Sequence, residues 1–117
     1  VKHWLLLFLA LASTQGFSQP YPSKPIRLVV PYTAGGPADL LARGLGQKLN
    51  DAWGQQIVVE NKPGANEIIA AQDVAKSPAD GYNYLLASDA VFSLNSYLYS
   101  KLPYDPVKDL APVSRLV

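Results

Sequence analysis

Two short stretches hold residues whose type and placement suit ligand binding: Pro31-Tyr32-Thr33-Ala34-Gly35-Gly36-Pro37 and Lys62-Pro63-Gly64-Ala65-Asn66. Each follows an apolar, β-branched run and precedes a helical pattern. At such a turn the leading N–H groups of the helix lack internal partners, and the positive end of the helix dipole favours an anion. In open parallel sheets ligands collect outside the carboxyl ends of the strands. The chemistry this suggests is carboxylate binding by backbone amides and water at Thr33, Ala34, Gly35 and Gly36, set against the plainer reading of a structural turn. Gly64 and Ala65 hold the matching place in the second unit and would face the same crevice. Tyr32 is suited either to wall a pocket or to cover the sheet edge. Asp39 is either a first-turn stabiliser of its helix or a ligand-orienting acceptor whose charge opposes a carboxylate. Ser88 offers a hydroxyl after a third strand, and Asp89 beside it adds negative charge.

Other chemistries are excluded by what the chain lacks. Its 117 residues contain no Cys, which removes thiolate catalysis, thiolate metal sites and disulfides together. The one His is His3, so the rest of the chain has no imidazole for acid–base work or zinc. GxGxxG and the Gly-Lys-Ser/Thr of a phosphate loop are absent, as is a G-x-S-x-G elbow, and no two carboxylates show a catalytic spacing. No cofactor and no metal are expected, and the protein is read as a binder and not an enzyme. Ten basic against nine acidic side chains give no field for a phosphate backbone, so nucleic acid is not an expected partner.

The elements that must position these turns follow from patterning. Ile26-Arg27-Leu28-Val29-Val30 reads as a strand covered on both faces, ended by Pro31. Gly35-Gly36 permits a tight turn, Pro37 fits the first helical turn, and Leu41, Leu45 and Leu49, with Leu40 and Ala42 beside them, predict the stripe that lies on the sheet. Gly54 is the predicted left-handed stop, with Trp53 packing at that corner. Gln56 to Glu60 predicts a second strand, and Glu67 to Lys76 a helix with Asn66 as its N-cap. Tyr82 to Ala87 predicts a third strand, Leu94 to Tyr99 a turn or two of helix, and 112–117 the start of another strand. The fold class is α/β, with a mostly parallel sheet joined by right-handed crossovers.

The first eighteen residues are of another kind. Lys2 and His3 precede Trp4 to Ala12, a run of nine apolar residues, followed by a polar stretch with small residues at Gly16 and Ser18. This pattern is that of a secretory signal peptide, and nine residues fall well short of the roughly 20 that span a bilayer. Domain boundaries are therefore placed at 1–18 for the leader and 19–117 for an incomplete α/β unit. Without Lys2 the remainder balances nine basic against nine acidic residues.

Taken in order, Tyr21-Pro22-Ser23-Lys24-Pro25 with Ile26 to Tyr32, Ala34-Gly35-Gly36, Asp39 with Ala42-Arg43, Val59-Glu60-Asn61-Lys62-Pro63-Gly64-Ala65, Pro78-Ala79-Asp80-Gly81-Tyr82, Asn95 with Leu98-Tyr99, and Leu102-Pro103-Tyr104-Asp105-Pro106-Val107-Lys108-Asp109 are similar to the tripartite tricarboxylate transporter receptor family, the Bug-type periplasmic solute-binding proteins. The resemblance implies a two-lobed, Venus-flytrap fold of the periplasmic-binding-protein type II class, of which 19–117 would be the beginning of the first lobe. It further implies a monomeric receptor in the periplasm of a Gram-negative-type envelope. Such a receptor captures a small organic carboxylate (di- or tricarboxylate, aromatic acid or amino acid) and hands it to a membrane permease. Tyr32 to Gly36 would help to hold a ligand carboxylate, and the other half of the clamp would come from beyond Val117. The chain departs from the family pattern at Asn66-Glu67, where Gly-Gly is usual, at Ala70, and around Asp89, Ala90 and Val91. A carboxylate at 67 or 89 would repel an anionic ligand or call for a cationic partner, and two readings follow: specificity for an amino acid, or relaxed selection on a broken gene. The alternative expectation is a truncated exported fragment without ligand-binding function.

Overall fold

The computed structural model describes residues 18–117, so the signal-peptide reading of 1–18 falls almost entirely outside the described residues. Three parallel strands form the sheet: β1 (Ile26–Val30), β2 (Ile57–Asn61) and β3 (Asn83–Leu85), in the order β2-β1-β3. Ile26 pairs with Ile57 and Val30 with Asn61 on one side of β1, and Arg27 with Asn83 on the other. Helix α1 (Pro37–Trp53) joins β1 to β2, and α2 (Ile68–Ala75) joins β2 to β3. Because the first connection moves outward and the second returns past β1, right-handed crossovers place the two helices on opposite faces of the sheet.

The core accordingly has two parts. Leu28 and Val30 of β1 pack on Ala42 of α1, with Ala38, Ile57, Val59, Tyr84 and Leu86 around them. On the other face Ala71 of α2 packs with Val91, Tyr104 and Leu110, closed by Ile68, Val74, Leu85 and Leu102. Arg27 and Val29 point to this second face by the strand's period of two. The Arg27 guanidinium is satisfied there by Glu60 at 2.8 Å and Asp73 at 2.5 Å, while the Lys62 ammonium reaches Asp73 at 3.1 Å.

The predicted leucine stripe of α1 is corrected. Asp39, Ala42 and Gly46 are its buried residues, whereas Leu40 and Leu41 are exposed and Leu45 and Leu49 half-buried. The small residues let the helix approach β2 closely: a Cβ on Gly46 would lie 3.3 Å from the Ile57 Cβ. Close contact with the Ile57 side chain selects small residues over long ones here, and the leucines border the contact.

Other boundaries differ by less. Gly54 ends α1 in the left-handed region at φ 68, with its N–H bonded to the Asn50 carbonyl. Trp53 is half-exposed against Tyr21, whose hydroxyl donates to the Gly81 carbonyl. After β3 the chain makes a π-helical turn (Ala90–Leu94) that runs into α3 (Asn95–Leu98). The strand predicted at 112–117 does not form; those residues are exposed and pair with neither edge of the sheet, and a β-pattern becomes a strand only against a neighbour.

Candidate ligand-binding site

The order β2-β1-β3 makes the gap between β1 and β3 the place where successive connections leave toward opposite faces, the usual seat of a crevice in an open parallel sheet. Three chain segments meet there: the turn after β1, the turn after β2, and Ser88 beyond β3.

The turn after β1 carries Tyr32, Thr33, Ala34, Gly35 and Gly36. Tyr32 to Gly35 lie on the surface, and the N–H groups of Thr33 and Ala34 have no hydrogen-bond partner among the described residues. Gly35 takes φ 85, a conformation natural to glycine. Its N–H, expected to face a ligand, is instead donated to the Asp39 carboxylate at 2.9 Å. Gly36 precedes α1 in extended conformation, and its carbonyl accepts the first helical bond from Leu40 at 3.0 Å.

Asp39 is buried and fully engaged. Besides Gly35 it accepts from Arg43 Nε at 2.9 Å and from Asn61 Nδ2 at 3.0 Å, and the same Asn61 amide donates to the Tyr32 carbonyl at 3.0 Å. The Arg43 guanidinium first, then the Gly35 and Asn61 N–H groups, hold its carboxyl down at about 2. Through these bonds the buried Asp39 ties the first turn to α1 and to the end of β2.

The turn after β2 is unlike what patterning predicts. Gly64 has φ 124, and Ala65, Asn66 and Glu67 follow at φ 48, 51 and 70. Asn66 is not the N-cap of α2; that place is taken by Glu67, without a side-chain capping bond. The Asn66 amide donates instead to Asn95 Oδ1 at 2.6 Å, and Asn95 Nδ2 returns a bond to the Asn66 carbonyl at 3.0 Å. Asn95 is fully buried beside Tyr104, whose hydroxyl donates to the Val91 carbonyl at 2.8 Å. This amide pair fixes three non-glycine residues in a region of backbone space that costs each of them energy.

Glu67 is the residue that sequence reasoning did not place at the centre. Its side chain is buried and bridges the other two segments: Tyr32 donates its hydroxyl to Oε1, Ser88 Oγ donates to the same oxygen at 2.6 Å, and the Ser88 N–H donates to Oε2 at 3.0 Å. The bond to Glu67, followed by burial, raises the Tyr32 hydroxyl above its ordinary value. Tyr32, Ser88 and the second turn are therefore brought together, while Gly64, Ala65 and Asp89 are exposed. The signal available in the sequence was the acidic residue at a turn position suited to glycine. Among the described residues no group of three or more metal-ligating side chains is assembled.

A description of the tripartite tricarboxylate transporter family receptor matches residues 41–117. The chain belongs to this family. Protein BugT of Bordetella pertussis is 41% identical over 108 residues, which cover 87% of this chain and 33% of BugT. Among solved structures, an R. palustris protein with adipate superposes with a TM-score of 0.70 at 39% identity, covering 74% of this chain and 29% of that one. MatC from Rhodopseudomonas palustris with bound malate superposes at 0.63 and 34% identity, covering 76% and 30%. The chain spans about a third of the length of the curated relatives it matches. The α/β class, the parallel sheet and the resemblance read from the ordered motifs agree with these matches.

Proposed function

We propose that this chain contributes to a periplasmic receptor that captures a small organic carboxylate and delivers it to a membrane permease. The observation that carries the reading is the convergence of turns at the carboxyl ends of β1, β2 and β3, in a family with members solved with adipate and malate. The unpartnered N–H groups of Thr33 and Ala34, at the mouth of α1, are the groups that receive the ligand's carboxylate. Gly36 keeps that approach open. Asp39 and Gly35 position the turn and do not touch the ligand. Tyr32 and Ser88 line the inner wall, with Gly64 and Ala65 at the rim. The chain forms the beginning of a first lobe, the second half of the clamp lies elsewhere in the receptor, and the receptor acts as a monomer without cofactor or catalysis.

Calorimetric titration of the intact receptor with a panel of mono-, di- and tricarboxylates tests this. At least one carboxylate binds the wild type, and Gly36→Leu abolishes that binding. A Cβ at Gly36 would meet only the Thr33 carbonyl oxygen, at an ordinary 3.6 Å, and an unchanged urea midpoint in the variant makes the loss a report on the site. Unchanged affinity in Gly36→Leu, or no carboxylate bound by the wild type, overturns the reading.

A further inference from the structure

Glu67 has the surroundings of a bound anion. Its carboxylate receives two hydroxyls and a backbone N–H, from Tyr32 beyond β1 and from Ser88 beyond β3. It takes part in none of the ion pairs among the described residues, so dipoles alone hold it, as they hold a small carboxylate in a pocket without cations. The residue is also held at φ 70, where glycine would be relaxed, and its neighbours Ala65 and Asn66 share the strain under the Asn66–Asn95 amide pair. A side chain attached at a strained backbone position and delivered into a cradle of donors from two other segments is a tethered ligand.

We infer that the Glu67 carboxylate permanently occupies an anion position between Tyr32 and Ser88, and that the ligand of this protein is in consequence a monocarboxylate whose other end carries no negative charge. The second half of this statement rests on the receptor reading; the first does not. A hydroxyl carries a single O–H, and those of Tyr32 and Ser88 together with the Ser88 N–H are already given to Glu67, so the cradle has no donor left for a second anion. A second negative group brought to this end would meet the Glu67 charge at short range with no cation between them.

Acetate is the probe for the cradle, and propionate and succinate are the probes for the ligand class. Thermal unfolding of the intact protein is followed as acetate is added to the wild type, Glu67→Gly and Glu67→Gln. Glycine suits φ 70 and empties the cradle, whereas glutamine removes the charge but keeps the volume. Acetate raises the Tm of Glu67→Gly beyond whatever rise it gives the wild type and Glu67→Gln, because only the glycine variant has an empty cradle to fill. Adding Tyr32→Phe to Glu67→Gly weakens that response. By calorimetry, the ratio of succinate to propionate affinity rises about tenfold in Glu67→Gly relative to the wild type, the scale of one charge-assisted hydrogen bond. No acetate response in Glu67→Gly, or an equal response in Glu67→Gln, overturns the inference. If the wild type binds propionate and Glu67→Gly gains nothing, the receptor reading stands and this one falls. An acetate response in Glu67→Gly from a protein whose wild type binds no carboxylate has the opposite meaning.

Discussion

The turn after β1 and the turn after β2 occupy equivalent places in successive β-loop-α units, yet they are held in different ways. In the first, the left-handed residue is a glycine, Gly35, and the bracing carboxylate of Asp39 lies four residues along on the adjoining helix. In the second, Gly64 is followed by three non-glycine residues at positive φ, and the bonds that hold them come from Asn95 and Ser88, 29 and 21 residues away. Local preference shapes the first turn. Distant partners impose the second against local preference, and such imposed strain concentrates at functional sites.

That contrast predicts where the protein breaks most easily. Asn95→Ala should be the most damaging change, because it opens a space at a fully buried position and strips the Asn66 carbonyl and amide of their partner. A loss of about 3 kcal/mol is expected, read from the urea midpoint. Retention of stability within a few tenths of a kcal/mol would mean that the second turn holds its own shape. Gly64→Ala comes next, at about 2 kcal/mol. The cost there is chiefly the backbone at φ 124, since the contact its Cβ would make, 2.9 Å from Ile69 Cδ1, is with the far end of a flexible side chain. An Ile69→Ala background should relieve only the smaller part of it.

The same contrast explains what could be read from the sequence. β1, α1 with its Gly54 stop, and the α/β order follow from short-range patterning, and the structure keeps them nearly to the residue. The face of α1 was not legible, because Leu41-Leu45-Leu49 periodicity reports apolar spacing, whereas the packing surface is set by how closely β2 approaches at Gly46. Around the crevice, Tyr32 and Ser88 were legible as side chains at strand ends. The place of Glu67 between them was not, since a carboxylate beside an anion site argues from charge alone for repulsion. Only the fold shows that Tyr32 and Ser88 turn their donors onto it. Asn66 has the composition of an N-cap, and a tertiary amide pair overrides that preference.

The first turn has its own point of failure, in acid. Asp39 has its carboxyl held at about 2 against an ordinary 3.8, so the native state binds fewer protons than the unfolded chain between those values. Its contribution to stability is therefore complete above about pH 4 and is lost as pH falls through about 2. Asp39→Asn should be less stable than the wild type by a constant margin above that window, and the margin should close within it. The measurement is the urea midpoint of both proteins as a function of pH. A margin that stays constant down to pH values near 2 would show that the Arg43, Gly35 and Asn61 contacts do not depend on the charge.

The finest comparison sets one alanine against another. Ala65 lies in the left-handed region at φ 48, and Ala34, at the corresponding place in the first turn, does not. Both are exposed, so neither substitution disturbs packing. Replacing Ala65 by Gly removes a Cβ penalty of about 1–2 kcal/mol from the native state but adds freedom to the unfolded chain, leaving a net gain of about 0.5 kcal/mol. Replacing Ala34 by Gly adds only the freedom, a loss of about 0.5 kcal/mol. The two variants should therefore move the urea midpoint in opposite directions. Equal and negative shifts would mean that the second turn relaxes in solution and that its backbone is no more strained than the first. In that case Glu67 would not be fixed by its backbone, and the bonds from Tyr32 and Ser88 alone would have to keep it in the crevice.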